Sequence, residues 1–340
     1  MKIHHYILRR LLLLIPVLLG TVTITFFLIY LVPSNPARLI AGPRATGEQL
    51  EKIRLELGLD EPIYIRYFKY LGRLLKGDLG RSILTRRPVL DDLLTFFPAT
   101  LELTLVSMLI MVPLGIFFGV LSAVKRNSAL DHIIRVFALS GVSMPVYWFG
   151  LILLLVFYFK LGIFPGPGRL DPHIVPPPTI TGLYIIDSLL AGRWDAFINS
   201  IEHIILPAVT LAYATTGMTA RITRSSMLEV IGAEYIRAAK AKGLSPREII
   251  LKHALRNALI APVTFIGYEF GYLLAGAVLT ETIFGWPGLG RYAVEAMTNV
   301  DFPAVLGVVI LTTFVYVIVN LIVDIAYVII DPRIRLGKGE

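Results

Sequence analysis

Between two long apolar runs, the chain reads Ala233-Glu234-Tyr235-Ile236-Arg237-Ala238-Ala239-Lys240-Ala241-Lys242-Gly243-Leu244-Ser245-Pro246-Arg247-Glu248. Ala, Lys and Arg are strong helix formers, so residues 233–242 are predicted to form a short helix. Gly243 then suits a left-handed C-terminal cap, and two lysines in the last turn favour the negative end of the helix dipole. Ser245, Pro246 and Glu248 predict an N-cap, a first helical residue and a capping box. The wider stretch 221–257 therefore predicts two helices joined by a glycine turn, with basic residues suited to docking.

The composition of the chain indicates a polytopic membrane protein. Hydrophobic residues make up 56% of the 340 residues, charged residues only 16%, and the mean hydropathy is +0.73, unlike a soluble enzyme. The net charge is +8, but the lysines and arginines flank apolar runs instead of clustering with aromatic residues. A nucleic-acid partner is therefore not expected. The chain has no cysteine, which excludes disulfides, thiolate metal sites and a catalytic thiol.

Six apolar runs are predicted to cross the lipid bilayer as helices, because about 20 apolar residues span its roughly 30 Å of hydrocarbon. The first run is longer than the apolar part of a signal peptide and ends in Leu31-Val32-Pro33, so a retained span is preferred over a cleaved leader. The predicted fold is an all-α polytopic membrane protein with six transmembrane helices, over 11–32, 99–124, 133–159, 203–220, 258–279 and 303–330.

The one sizeable polar region, residues 33–98, is predicted to be a helical segment outside the membrane. Thr46 begins a capping pattern for a helix over Glu48–Leu57 that ends at Gly58. A second helix is expected over Pro62–Lys76, with an aromatic stripe of Tyr64, Tyr67, Phe68 and Tyr70. The turn 77–82 resembles a phosphate-binding loop only loosely, and no stretch of the chain has the spacing of a P-loop. The chain is therefore not expected to bind ATP in this way.

Proline and glycine interrupt the apolar runs, as at Pro113, Pro145, Pro207 and Pro262. Inside a bundle such residues are tolerated, because neighbouring helices satisfy the freed backbone groups and small residues allow close packing. Packing and a hinge in a moving helix both remain open for each of them.

The distribution of basic residues predicts the orientation in the membrane. The N-terminus, the 125–135 loop, the 221–257 loop and the tail carry 17 Lys and Arg, while the loops 160–202 and 280–302 carry four. Short loops rich in Lys and Arg face the cytoplasm. The expected order is a cytoplasmic N-terminus and first span (1–32), an external segment (33–98), a five-span core (99–330) and a cytoplasmic tail (331–340). The predicted location is the cytoplasmic (inner) membrane.

No catalytic or metal-binding constellation is found in the sequence. The six histidines are dispersed, and the metalloprotease and serine hydrolase motifs are missing. Three carboxylates fall within the apolar runs and are candidates to line a polar path, because burying them is costly. For Glu102 and Asp324, near span ends, snorkelling or a local hydrogen bond is the alternative. For Glu269, in the middle of a span, it is a hydrogen bond to another helix.

Several stretches resemble one transporter family. Arg237-Ala238-Ala239-x-x-x-Gly243, followed by His253-x-Leu255, is similar to the cytoplasmic Glu-Ala-Ala-x-x-x-Gly loop of ATP-binding-cassette importer permeases. The stretches that match the dipeptide and oligopeptide branch run from end to end, and are residues 77–82, 99–103, 223–230, 235–243, 253–258, 279–290 and 331–335. Arg237 and Arg256 depart from the general importer loop, but both are usual in the peptide branch.

The resemblance implies a fold like that of the methionine importer permease (MetI-like) and a function in transport. The loop would be a coupling helix in a groove of a cytosolic ATPase, with the contact formed by Glu234, Tyr235, Arg237, Ala238, Ala239, Lys240, Lys242 and Gly243 and the next helix fixed by Ser245 and Glu248. The implied partners are a homologous second permease, two P-loop ATPase subunits and an external solute-binding protein. The chain itself would be no enzyme and need no cofactor.

Two kinds of alternative remain open at this stage. Related permeases carry nickel, glutathione or other small solutes, so the substrate follows from resemblance only. A different class is an ion-coupled secondary carrier that uses Glu269 and Asp324. Such a carrier would often show an inverted pair of broken half-helices, and would need no capped basic helix in a loop.

Overall fold

The computed structural model describes residues 3–31, 46–56, 60–275 and 277–330. Over these residues the chain is helical, without a β-sheet, which confirms the predicted all-α class. The predicted tail 331–340, the first part of the external segment and the helix stop at Gly58 lie outside the described residues.

Fourteen helices are described, and each of the six apolar runs is helical. They are α1 (Ile3–Leu31), α2 (Gly47–Glu56), α3 (Ile63–Leu74), α4 (Val89–Val124), α5 (Ala129–Ser143), α6 (Val146–Lys160), α7 (Tyr184–Leu190), α8 (Trp194–Ile231), α9 (Glu234–Ala241), α10 (Pro246–Ala258), α11 (Ile260–Leu274), α12 (Val278–Ile283), α13 (Leu289–Thr298) and α14 (Phe302–Ile330). Widened π-helical turns occur at Leu154–Lys160 and Ile249–Ala254.

Three described helices, α4, α8 and α14, are long and apolar enough to span a membrane unbroken, and two bent pairs raise this number to five. The first helix, α1, contains a shorter apolar stretch at Leu12–Leu28. The predicted span 203–220 belongs to α8, whose 38 residues extend about 57 Å at 1.5 Å per residue. Its ends therefore project beyond the hydrocarbon, which hydropathy alone does not reveal.

Proline explains the sharper of the two bends. The axes of α5 and α6 meet at 105°, and Met144 between them is extended, with φ −87° and ψ 127°. A proline excludes helical geometry at the residue before it, so Pro145 ends α5 and begins α6. By contrast, Pro113 and Pro207 lie inside continuous helices.

Helices α4 and α8 form the centre of the bundle and lie close together. A Cβ atom on Gly115 would lie 2.6 Å from Thr219, and one on Gly119 would lie 2.4 Å from Thr223. Only glycine therefore permits this approach. Close packing of small residues substitutes for the hydrophobic effect, which is weak between helices in lipid.

Helix α3, in the segment predicted to be external, packs against the first helix. Tyr67 and Tyr70 of α3 lie 5.4 and 5.7 Å from the ring of Phe26, and the Tyr67 hydroxyl is 2.5 Å from that of Thr23. Half of the predicted aromatic stripe thus attaches α3 to α1. The other half, Tyr64 and Phe68, is exposed.

Candidate functional site

The helix α9 and the turn after it connect the long helix α8 to α10. Gly243 has a φ of +79°, in the left-handed region. Its amide donates to the Lys240 carbonyl at 3.0 Å, and the Leu244 amide donates to the Ala239 carbonyl at 3.4 Å. These bonds form a Schellman cap. The predicted helix and glycine turn are both confirmed, with the helix starting at Glu234.

The start of α10 is capped by Ser245 as predicted, but Glu248 does not complete the predicted capping box. Ser245 Oγ accepts a hydrogen bond from the Glu248 amide at 3.3 Å, and Pro246 is the first helical residue. The Glu248 carboxylate, however, pairs with Lys252 Nζ at 2.8 Å. The capping box is therefore formed in one direction, because the side chain of Glu248 has an ion-pair partner one turn ahead.

One face of α9 is buried against the rest of the protein. Ile236 and Ala239 belong to a hydrophobic cluster with Ala123 of α4, Met227 of α8, and Ile249, Ala254 and Ala258 of α10. The sequence analysis includes Ala239 among the predicted contact residues, and in the structure its side chain is buried within the chain. Ala239 lies on the inner face because it is three residues after Ile236, on the same side of the helix.

The opposite face of α9 is exposed and carries three basic residues and one acidic residue. It comprises Glu234, Tyr235, Arg237, Ala238, Lys240 and Lys242. The Tyr235 hydroxyl accepts a hydrogen bond from Asn257 Nδ2 at 2.9 Å, so the exposed face is attached to α10 as well as through its buried side. A helix fixed in this way moves with the ends of α8 and α10.

A buried carboxylate that the sequence analysis missed connects α4, α5 and α8 at the end of the bundle where α9 lies. Asp131 of α5 is fully buried and accepts two hydrogen bonds from Arg224 of α8, at 2.9 and 3.1 Å. It also accepts from Ser122 Oγ of α4 at 2.5 Å and from the Asn127 amide at 2.9 Å. The sequence offers only a local signal here: Ser128, whose Oγ accepts a hydrogen bond from the Asp131 amide, indicates the start of a helix. This signal does not predict that Asp131 has a distant partner.

At the other end of the bundle, Glu102 has a partner inside the protein. Its carboxylate lies 2.5 Å from Arg169 Nη2 and accepts from the Ile185 amide at 2.8 Å. The Arg169 guanidinium stacks 3.6 Å from the centre of the Tyr184 ring. Glu102 therefore attaches the loop between α6 and α8 to α4, which favours the local-bond alternative over a position in an open path.

A second buried carboxylate at this end, Glu281, holds the segment between α11 and α14. It accepts from Thr100 Oγ1 at 2.7 Å and from the Arg291 amide at 3.0 Å. A Cβ on Gly288 would lie 2.4 Å from Glu281 Oε1, so this glycine makes room for the carboxylate. Trp286 is buried beside them and donates from Nε1 to the Ala99 carbonyl at 2.8 Å.

The turn 77–88 is also fixed by buried carboxylates. Ser82 Oγ donates to Asp301 at 2.5 Å, and Thr85 Oγ1 donates to Asp92, which also accepts from the Tyr292 hydroxyl at 3.1 Å. Burial raises the pKa of the Tyr292 phenol, and the neighbouring Asp92 carboxylate raises it further. The turn that loosely resembles a phosphate loop is thus a packed structural connection.

Asp187 of α7 organises the loop before it. Its carboxylate accepts from the amides of Thr181 and Gly182 at 2.8 and 2.9 Å, and from the Thr181 hydroxyl at 2.7 Å. Burial opposes ionisation, but the hydrogen bonds from Thr181 and the adjacent amides outweigh it, so the pKa of Asp187 is lowered. The ionised carboxylate is therefore part of the folded loop.

Of the remaining two pathway candidates, the structure describes the side chain of Glu269 but not that of Asp324. Glu269 of α11 is only 8% exposed, and its carboxylate has no hydrogen-bond or ion-pair partner among the side chains and amides that the structure describes. Asp324 lies on α14, but its side chain is outside the described part of the chain.

Two family models match the chain. Residues 115–336 match the binding-protein-dependent transport system inner membrane component, and residues 3–104 match the N-terminal part of the membrane component of such systems. The chain is 49% identical to the probable D,D-dipeptide transport system permease protein of Escherichia coli strain K12, over 96% of both chains. It is 45% identical to the di/tripeptide transport system permease protein of Pseudomonas aeruginosa strain UCBPP-PA14, over 97% of this chain and 98% of the relative.

A solved structure shares the fold. A chain of the MetNI methionine ABC transporter in inward-facing conformations aligns over 70% of this chain and 96% of its own length, with a TM-score of 0.52 and 18% identity. The predicted fold, like that of the methionine importer permease, is confirmed.

Proposed function

The chain belongs to the family of binding-protein-dependent transport system inner membrane components, and on that premise we propose that it is the permease subunit of an importer of dipeptides or other short peptides. The observation that carries the proposal is the similarity, over nearly the whole chain, to permeases of dipeptide and di/tripeptide transport systems. Nickel, glutathione or another small solute remains the alternative cargo within the family.

The exposed face of α9 is the proposed contact with a cytosolic ATPase. The contact residues are Glu234, Tyr235, Arg237, Ala238, Lys240, Lys242 and Gly243, with Ala239 beneath them and Ser245 and Glu248 fixing the start of α10. A short, capped helix with small and basic residues outside and Ile236 inside suits docking in a groove. This subunit then transmits movement, while ATP hydrolysis belongs to two separate P-loop subunits.

The cluster beneath α9 provides the path for that movement. Ala123, Met227 and Ile249 bring together the ends of α4, α8 and α10 around Ile236. Because protein interiors are close-packed and resist compression, a displacement of α9 moves these helix ends together. The ion pair of Asp131 and Arg224 adds the start of α5 to the same unit.

The proposed orientation places α9 and both chain termini in the cytoplasm. The contacts group the loops at two ends of the bundle: the 125–128 turn lies with α9, and the 160–202 loop lies with residues 99–102 and 281–291. The basic residues are concentrated at the α9 end, which suits the cytoplasmic side. The external segment 33–98 and the 160–202 loop are then the proposed surfaces for a solute-binding protein, and a homologous second permease completes the pore.

The test is affinity purification of the chain from its native membrane in mild detergent, followed by reconstitution in vesicles. We expect a homologous permease and P-loop ATPases to copurify, and the vesicles to take up labelled alanyl-alanine when ATP and the binding protein are supplied. A chain that purifies alone and moves solute without ATP would refute the importer. ATP-dependent uptake of a different solute, without peptide, would refute only the cargo.

A further inference from the structure

The exposed face of α11 is unusual for a helix in a membrane protein. Its exposed residues are Ala261, Thr264, Tyr268, Tyr272 and Ala275, whose spacing of three and four residues forms one continuous stripe. Tyr268 and Tyr272 are 50% and 61% exposed. The stripe thus consists of hydroxyl-bearing and small side chains, and Tyr268 lies in the middle of the predicted span 258–279.

The exposed stripe of α5 differs from that of α11. The corresponding stripe of α5 consists of Ile133, Val136, Leu139 and Val142, all large and aliphatic. Aliphatic side chains suit contact with acyl chains, which offer hydroxyl groups no hydrogen-bond partner. The stripe of α5 therefore fits lipid, and the stripe of α11 fits a polar surrounding.

Glu269 lies at the edge of the α11 stripe. Leu273, one turn later on the same side, packs into the cluster with Leu103 and Ala208 of α4 and α8, while Gly267 and Gly271 face Val323 and Tyr316 of α14. Glu269 therefore borders the stripe where α11 approaches α4 and α8. A buried carboxylate without a partner costs several kcal/mol, so a cation from outside the described chain would stabilise it.

We propose that Thr264, Tyr268 and Tyr272 line the translocation pathway and that Glu269 binds the protonated amino group of the passing peptide. The inference rests on the proposed function and adds a specificity-determining residue to it. A primary ammonium pairs with one carboxylate, and tyrosine rings attract cations and accept hydrogen bonds at their hydroxyls. A divalent metal needs more ligands, and no group of three metal-ligating side chains occurs in the described ranges.

Single cysteines test the position of the stripe in the assembled importer. The chain has no cysteine, so Thr264→Cys, Tyr268→Cys and Tyr272→Cys each introduce one reporter into this subunit. Val136→Cys and Leu139→Cys, on the aliphatic stripe of α5, are matched controls. We expect a charged maleimide to label the α11 cysteines at least tenfold faster than the controls, and alanyl-alanine to slow the labelling. Labelling at the control rate, as for a face covered by lipid or by the second permease, would overturn the proposal.

Substitution of Glu269 tests the carboxylate itself. We expect Glu269→Gln to lower uptake of alanyl-alanine about tenfold, because the substitution removes one charge-assisted hydrogen bond to the peptide. ATP hydrolysis stimulated by the binding protein should be retained. Glu269→Asp should give an intermediate rate. Glu295→Gln, which removes a partly exposed carboxylate of α13 outside the proposed docking surfaces, should leave uptake unchanged. Wild-type uptake by Glu269→Gln would overturn the inference alone. Peptide uptake missing from the wild-type complex would instead overturn the proposed cargo.

Discussion

The turn at Gly243 offers a direct test of coupling, through the substitution Gly243→Asp. No neighbouring atom lies within 4 Å of a Cβ built at this position, so the cost is one of backbone geometry and charge. A left-handed φ costs a non-glycine residue roughly 1 kcal/mol or more, and a carboxylate at a helix C-terminus costs about 0.3–1 kcal/mol. The sum of about 1.5–2 kcal/mol disfavours the observed turn roughly tenfold to thirtyfold.

The assay measures uptake of labelled peptide and ATP hydrolysis in the same reconstituted vesicles. We expect Gly243→Asp to assemble in the membrane but to move about tenfold less peptide for each ATP hydrolysed. The expected cause is that α9 is no longer held in the orientation that the ATPase contacts. Gly243→Asn keeps the size of the new side chain without its charge, so it should show a smaller loss.

Gly77 provides a matched control at the end of the bundle opposite α9. Its φ is +76°, a Cβ there would meet no atom within 4 Å, and it ends α3 with the same pair of hydrogen bonds, through its own amide and that of Asp78. Gly77→Asp therefore imposes the same strain and charge on a turn far from the proposed ATPase contact. A ratio of uptake to hydrolysis that is equal in Gly243→Asp and Gly77→Asp would refute the coupling role.

Three further substitutions test the buried polar groups. Arg224→Ala should lower the free energy of unfolding by about 3 kcal/mol, measured by thermal unfolding in detergent, because it removes the guanidinium that donates two hydrogen bonds to buried Asp131. Gly288→Ala should cost about 1–3 kcal/mol in the same assay, since its Cβ would overlap the Glu281 carboxylate. Asp187 has a lowered pKa, so its stabilising effect is full above its ordinary pKa of about 4 and is lost as the pH falls through the lower folded value. The unfolding temperature should therefore fall more steeply between about pH 5 and pH 2 in the wild type than in Asp187→Asn.

Two substitutions serve as controls for the stability measurements. Arg221→Ala removes an exposed arginine one turn before Arg224, and Gly72→Ala adds a methyl group to α3 where no atom lies within 4 Å. Both should leave the unfolding temperature nearly unchanged or slightly raised. A loss in Arg221→Ala as large as that in Arg224→Ala would contradict the role assigned to the buried ion pair, and a loss in Gly72→Ala as large as that in Gly288→Ala would contradict the overlap with Glu281.

Features set by a few consecutive residues could be predicted from the sequence. The left-handed turn at Gly243 and the N-cap at Ser245 depend on neighbours within five positions. The six apolar runs were also predictable, because burial in lipid requires a length of apolar sequence. The start of α4 at Val89, ten residues before the predicted run, was missed because Asp91, Asp92 and Pro98 interrupt the apolar sequence.

Partners far apart in the chain could not be predicted. Glu102 and Arg169 are 67 positions apart, and Thr100 and Glu281 are 181 apart. Which of the 24 acidic residues meets which donor depends on how the helices pack, and a single sequence does not specify that. The burial of Ala239 could not be predicted for the same reason, because the buried side of α9 is defined by α4, α8 and α10.

The ion pair between Asp131 and Arg224 also bears on how the chain is made. The two residues are separated by 93 positions, which a ribosome needs about 5–20 s to synthesise. During that interval the carboxylate of Asp131 has only neutral donors from Ser122 and Asn127, with Arg135 3.6 Å away. The half-made protein must therefore keep this end of the bundle hydrated until α8 emerges. A chain that stops before Arg224 would leave the Asp131 carboxylate with the exposed Arg135 as its nearby cation, and an exposed ion pair stabilises a folded end far less than the two direct hydrogen bonds from Arg224.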